Sequence, residues 1–113
     1  MDWGKVIYVF FTLMSLTSVA GFLYEHTSIM LFVAASLNLI STILKLGVRN
    51  LLAAELLAAS LVADLHLIPA FIYMEVIGHV GWATSLAIGA LIANLFSIIM
   101  VFIESAKTKD IYE

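Results

Sequence analysis

Residues 80–103 read VGWATSLAIGALIANLFSIIMVFI, 24 positions without one charged side chain. A helix rises 1.5 Å per residue, so this run covers about 36 Å, more than the ~30 Å hydrocarbon core of a bilayer. That is a membrane span. Working outward, three further apolar runs appear at 6–24, 28–46 and 51–73, each close to the ~20 residues a crossing helix needs. Four spans use up nearly all of the 113 residues. Composition agrees. The chain is 64% hydrophobic and 12% charged, with a mean hydropathy of +1.14, whereas a soluble domain carries about a quarter charged residues. The expected fold is all-α: one integral membrane four-helix bundle over residues 1–113, embedded in the lipid bilayer.

The run 6–24 lacks an A-x-A-like cleavage site and leads through Tyr24-Glu25-His26 straight into the next span, so it reads as a helix and not a signal peptide. There is no cysteine, which excludes disulfides, thiolate metal sites and cysteine nucleophiles. Lys5, Lys45, Arg49, Lys107 and Lys109 all fall on one predicted side, and the two opposite loops hold neither Lys nor Arg. Cytoplasmic loops collect Lys and Arg, so both termini are expected in the cytoplasm. Trp3 and Tyr8 near one boundary, with Tyr24, Tyr73 and Trp82 near the other, suit aromatic belts at the two interfaces.

The two halves echo one another. NLISTIL at 38–44 and NLFSIIM at 94–100 are 56 positions apart, while Tyr24 and Tyr73, which end TSVAGFLY and HLIPAFIY, are 49 apart. The difference lies in the second outer loop, taken as 74–81. Such an arrangement would be two parallel helical-hairpin repeats about an axis along the membrane normal. Helices in lipid associate through close packing at small residues. Ser85, Gly89, Ala93 and Ser97 recur every four positions, one smooth ridge on a helix face. It would pack either the chain's own bundle or a homo-oligomer seam.

Against this background, ADLHLIPAFIYME at 63–75 carries an aspartate, a histidine and the only proline. Ionisable groups at membrane depth cost about 2.5–3.5 kcal/mol on insertion scales and usually face a protein interior or a water-filled cavity. Glu55 and His66, 11 positions apart, fall within about 20° of one face, while Asp64 and Glu75 share roughly the opposite one. Glu55 has a plain role open to it, a structural ion pair with Lys45 at similar depth or a turn outward to the interface. Asp64 lies near the midplane with no cation predicted beside it. Pro69 cannot donate to the carbonyl of Leu65, and a freed carbonyl beside a carboxylate suits a hard cation. Asn38 and Asn94 would bring one amide oxygen each to that depth. The predicted ion pathway is therefore Asp64, Leu65, His66, Asn38 and Asn94. The alternative is a satisfied hydrogen-bond cluster that locks the bundle.

Glu25-His26 and Glu75…His79 would place an acid and a histidine on each outer loop, either as ordinary interface residues or as a vestibule that gathers cations. Their spacing is far from a zinc signature, and the metal remains unassigned. No phosphate loop, nucleophile elbow or HExxH motif occurs, nor a TVGYG-type filter. With so little polar apparatus no enzymatic activity and no cofactor are expected, and five cations without a soluble surface leave no place for nucleic acid. Small multidrug transporters match in length, but their essential first-span glutamate has no counterpart in 6–24. Fluoride channels match in size but not in their glycine-rich, basic pattern. MDWGKV at the start and EVIGHVGW at 75–82 resemble a family of small four-helix bacterial inner-membrane proteins of unassigned function. That resemblance implies a bacterial source and four spans, with no site residues to carry over.

The functional expectation is a small channel or transporter for a proton or for a monovalent or divalent cation, built around Asp64 and working as a homo-oligomer. The alternative is a non-catalytic accessory or scaffold subunit of a larger membrane-protein complex for ion uptake or respiration.

Overall fold

In the computed structural model, which describes residues 3–47 and 53–112, four helices pack into a bundle with extents of 52 × 20 × 19 Å. They are α1 (Trp3–Glu25), α2 (Ser28–Leu46), α3 (Ala53–Ile72) and α4 (Val80–Tyr112), with a π-helical segment at Tyr73–Ile77 after α3. All four are long and apolar enough to cross a membrane. Arg49, Asn50 and the Leu51 start of the predicted third span lie outside the described residues, as does the Lys109 side chain. α4 continues as helix well past the predicted end at 103, because 104–112 holds no proline or glycine to stop it.

The loops are short and locally determined. His26 takes φ 53° between α1 and α2, and the Thr27 side chain accepts from the Met30 backbone N–H at 3.4 Å as the α2 cap. The predicted outer loop at 74–81 is mostly helical: the π segment runs to Ile77, and Gly78 then turns left-handed at φ 78°. Pro69 sits inside α3 without ending it. The chain widens into π geometry one turn later, a frequent accommodation in a helix that has lost a rung.

Neighbours run α1–α2–α3–α4 and back to α1, with α1/α3 and α2/α4 on the diagonals. Buried positions recur at alternate spacings of four and three: Tyr8, Thr12, Ser15, Val19 and Phe22 on α1, and Ala87, Ala90, Asn94, Ser97 and Val101 on α4. This is the 3.5-residue period of helices packed at a shallow angle. The inward stripe is rich in small and polar residues among a few large apolar ones, and the outward surface is apolar, as lipid demands. The ridge at 85–97 obeys a different rule. Strict steps of four drift by about 40° each, so Ser85 ends exposed, its hydroxyl donating to the Gly81 carbonyl at 3.1 Å. Gly89 sits at the edge, and only Ala93 and Ser97 are buried, inside the chain's own bundle.

The core divides along its length. Towards the two inter-helix loops it is apolar, built on Val19, Phe22, Leu31, Leu67, Ala83 and Ala87. Towards the end bearing the termini, apolar residues shrink to a cluster of Tyr8, Leu56 and Val101. Tyr8 is fully buried there, so it is a core residue and not part of an interfacial belt. Lys5 on α1 donates to Glu104 on α4 at 2.7 Å and also to the Ser105 hydroxyl. Lys5→Met should lower the stability of the detergent-solubilised protein by about 2 kcal/mol, below the range for fully buried pairs because Lys5 is partly hydrated. Thermal unfolding in mild detergent measures it.

Candidate functional site

Asp64 projects from α3 into the seam with α2. Asn38 Nδ2 donates to its Oδ1 at 2.5 Å, and the Thr42 hydroxyl lies 2.7 Å from its Oδ2. One helical turn away, Lys45 Nζ donates to the Ser60 hydroxyl at 2.8 Å and stands 5.8 Å from the centre of the Tyr8 ring. Asn38 also reaches the Ser60 carbonyl at 3.3 Å. Ser60 and Asn38 therefore stand between the Lys45 amine and the Asp64 carboxylate, which are not in direct contact. All five of Asn38, Thr42, Lys45, Ser60 and Asp64 are buried.

This corrects the expectation that no cation accompanies Asp64. Lys45 does, because α2 runs antiparallel to α3 and its last turn comes down beside Ser60 and Asp64. The predicted Lys45–Glu55 ion pair is not formed among the described residues. Glu55 lies five residues before Ser60, about 140° around the helix, on the outer face of α3. His66 does not join Asp64 either. Two residues further along, it projects about 200° away over Gly89 of α4. The Leu65 side chain is 71% exposed towards the bundle's exterior.

The Thr42 hydroxyl sits 2.7 Å from Asp64 Oδ2 and 2.9 Å from the Asn38 carbonyl. It owns one hydrogen, and a carbonyl can only accept. Both contacts are satisfied together when Asp64 carries a proton and donates it to Thr42 while Thr42 donates to Asn38. When Asp64 is ionised, rotation of the one hydroxyl gives that hydrogen to the carboxylate. The same cage accommodates Asp64 with or without its proton.

Across the bundle the pattern repeats in a neutral form. Asn94 Nδ2 approaches the Ser15 hydroxyl at 3.4 Å, and Ser15 donates to the Ala34 carbonyl at 2.9 Å. Ser15 and Asp64 are 49 positions apart, the offset of the Tyr24/Tyr73 echo, and Asn38 and Asn94 are 56 apart. Each asparagine therefore meets the corresponding residue of the other hairpin, a carboxylate on one seam and a hydroxyl on the other. Asn38 Oδ1, Asn94 Oδ1 and Ser97 Oγ are buried with no hydrogen-bond partner among the described residues. Nearer the termini the Thr12 and Ser41 hydroxyls lie 2.6 Å apart and both are within reach of the Tyr8 carbonyl, at 2.9 and 3.2 Å, so when one donates to the other the second donates to the carbonyl.

The outer residues do not converge. Glu25 and Glu75 are exposed. The His26 ring packs edge-on against Phe22, and His79 Nδ1 accepts from the Trp82 backbone N–H at 3.0 Å. Each histidine has a local structural task, and no group of three His, Cys, Asp or Glu able to hold a metal occurs among the described residues. Sequence reasoning missed Thr12, Ser15, Ser41, Thr42 and Ser60. The signal was present for four of them: Thr12, Ser15, Ser41 and Ser60 fall on the four-three stripe of otherwise apolar helices, and Thr42 sits one position beside it, four residues after Asn38.

The profile of DUF6394, a family of unknown function, matches residues 25–105. The chain belongs to this family. The match takes in the α2–α3 seam and all of the Asp64 cluster, together with Asn94 and Glu104. No curated protein and no solved structure matches the chain.

Proposed function

We propose that this DUF6394 member handles protons inside the membrane, with Asp64 as the exchanging group at the closed end of a polar half-path. The observation that carries the reading is the Asp64–Thr42–Asn38 arrangement, which fits both protonation states through the turn of one hydroxyl. The buried hydroxyls of Thr12 and Ser41, and the partnerless oxygens of Asn38, Asn94 and Ser97, supply hydrogen-bonding groups towards the terminal end. A metal cation suits the place less well, since the Lys45 amine lies one helical turn away across Ser60 and Asn38 and a second positive charge there would be repelled. In the apolar half built on Val19, Phe22, Leu31 and Leu67, the buried Ser18 hydroxyl is spent on the Met14 carbonyl of its own helix, so a gated carrier fits better than an open pore. With Lys5, Lys45, Arg49, Lys107 and Lys109 on the terminal side, the half-path opens to the cytoplasm of a bacterial inner membrane.

Proteoliposomes holding a pH-sensitive dye, energised by a potassium diffusion potential, test the proposal. Wild type should acidify or alkalinise the lumen faster than protein-free vesicles, and Asp64→Asn should fall to the vesicle rate. Equal rates for the two proteins remove Asp64 from any such path.

The accessory-subunit reading is favoured by a separate observation, a groove of about 580 Å³ between α3 and α4 on the outside of the bundle. Under that reading the protein purifies stoichiometrically with a larger membrane partner and moves no protons alone.

A further inference from the structure

The groove between α3 and α4 holds a mid-membrane polar group that the bundle itself leaves half used. His66 Nδ1 lies 2.7 Å from the Val62 carbonyl. A carbonyl only accepts, so Nδ1 carries the hydrogen, and in the neutral ring Nε2 is left as a bare acceptor. That atom rests over Gly89, where an added Cβ would stand 2.8 Å from it. The glycine is what allows the ring to lie flat across the groove. His66 is 13 residues from the start of α3, about 20 Å along the axis and deep in the hydrocarbon. Glu55, exposed at the terminal end of the same groove, is 11 residues away, three turns and about 16 Å along nearly the same face. Between them the floor is Ala58, Ala59 and Ala93, with Val62, Ile92 and Phe96 as walls, so a helix that presents small residues to the floor can seat between those walls.

We infer that this groove receives a transmembrane helix of another protein, one that carries a Lys or Arg at the membrane edge and a hydroxyl or amide donor three turns deeper. The charge and donor pattern selects the occupant. The groove offers two acceptors, a carboxylate at the edge and an imidazole nitrogen at depth. A two-fold copy of this chain would set Glu55 against Glu55 and His66 against His66 at equal depth, acceptor facing acceptor. An acyl chain has no donor to give. A foreign helix can supply both, and an unmet acceptor in hydrocarbon makes the pairing selective. The inference is independent of proton handling by Asp64, which faces the other way.

The test uses dye-labelled 23-residue Leu/Ala helices in phosphatidylcholine vesicles. One bears Lys at its edge and Ser 11 residues deeper; the control has Leu and Ala at those two positions. Energy transfer to the labelled full-length protein should show the matched helix binding about tenfold tighter than the control. His66→Leu and Glu55→Gln, both at the surface, should each remove most of that preference. Gly89→Ala should do the same by displacing the ring while keeping it in the chain. Equal binding of both helices overturns the inference. So does energy transfer between copies of the protein that abolishes peptide binding, because the groove is then a self-interface.

Discussion

Lys45→Met should destabilise the folded protein by about 2–3 kcal/mol, and adding Asp64→Asn should restore most of that loss. Removing one member of a buried charge pair leaves the other uncompensated, which costs about 3–5 kcal/mol for pairs in contact. Lys45 and Asp64 are separated by a gap bridged by Ser60 and Asn38, so the loss falls at or just below the bottom of that range. Methionine keeps the apolar stem against Tyr8 and deletes the charge, which separates electrostatics from packing. In the double variant no buried charge remains at the seam, and a coupling of about 2 kcal/mol should appear in the cycle. Thermal or denaturant unfolding in mild detergent gives all four corners. An additive cycle would mean that Lys45 and Asp64 do not sense each other, and would return Asp64 to the status of a carboxylate without a counter-charge.

The bundle itself was legible in the sequence because membrane spans announce themselves through length and composition alone. The run at 80–103 needs no partner to be recognised. The polarity of Glu55, Asp64 and His66 was also legible, since helical periodicity puts Asp64 and His66 on different faces whatever surrounds them. What could not be read was which neighbour each face meets. Lys45 was assigned to Glu55 by depth, and depth was nearly right. Azimuth decided otherwise: the face of α3 that meets α2 carries Ser60 and Asp64. The ridge at 85–97 failed for a related reason. Four-residue steps trace a line that slides around the helix, whereas packed helices bury an alternating four-three stripe. On α4 that stripe is Ala83, Ala87, Ala90, Asn94, Ser97 and Val101, and it is hidden in a sequence where both inside and outside are uncharged. Hydrophobicity marks the core of a soluble bundle; in lipid the core is marked by smallness and by hydroxyls, a weaker signal in a single sequence.

Asn38 and Asn94 look equivalent by sequence, and the structure makes them unequal. Asn38→Leu should cost about 3 kcal/mol, because it strips the carboxylate of its amide donor and leaves the buried Asp64 under-bonded. Asn94→Leu should change stability by less than about 1 kcal/mol. Its amide makes one long contact to Ser15, hydrogen bonds between membrane helices average only about 0.6 kcal/mol, and leucine also removes a buried oxygen that has no partner. The functional consequence runs the other way from the stability consequence. If the partnerless oxygens of Asn94 and Ser97 belong to a proton file, Asn94→Leu yields a well-folded protein with slowed dye response in the vesicle assay. Asn38→Leu loses fold and flux together and cannot distinguish the two. Asn94→Leu is thus the variant that separates path from packing. A stable Asn94→Leu protein with wild-type flux would take α4 out of the file and leave the α2–α3 seam to act alone. An Asn94→Leu protein as unstable as Asn38→Leu would mean that Asn94 bears a structural load that its one long contact to Ser15 does not account for.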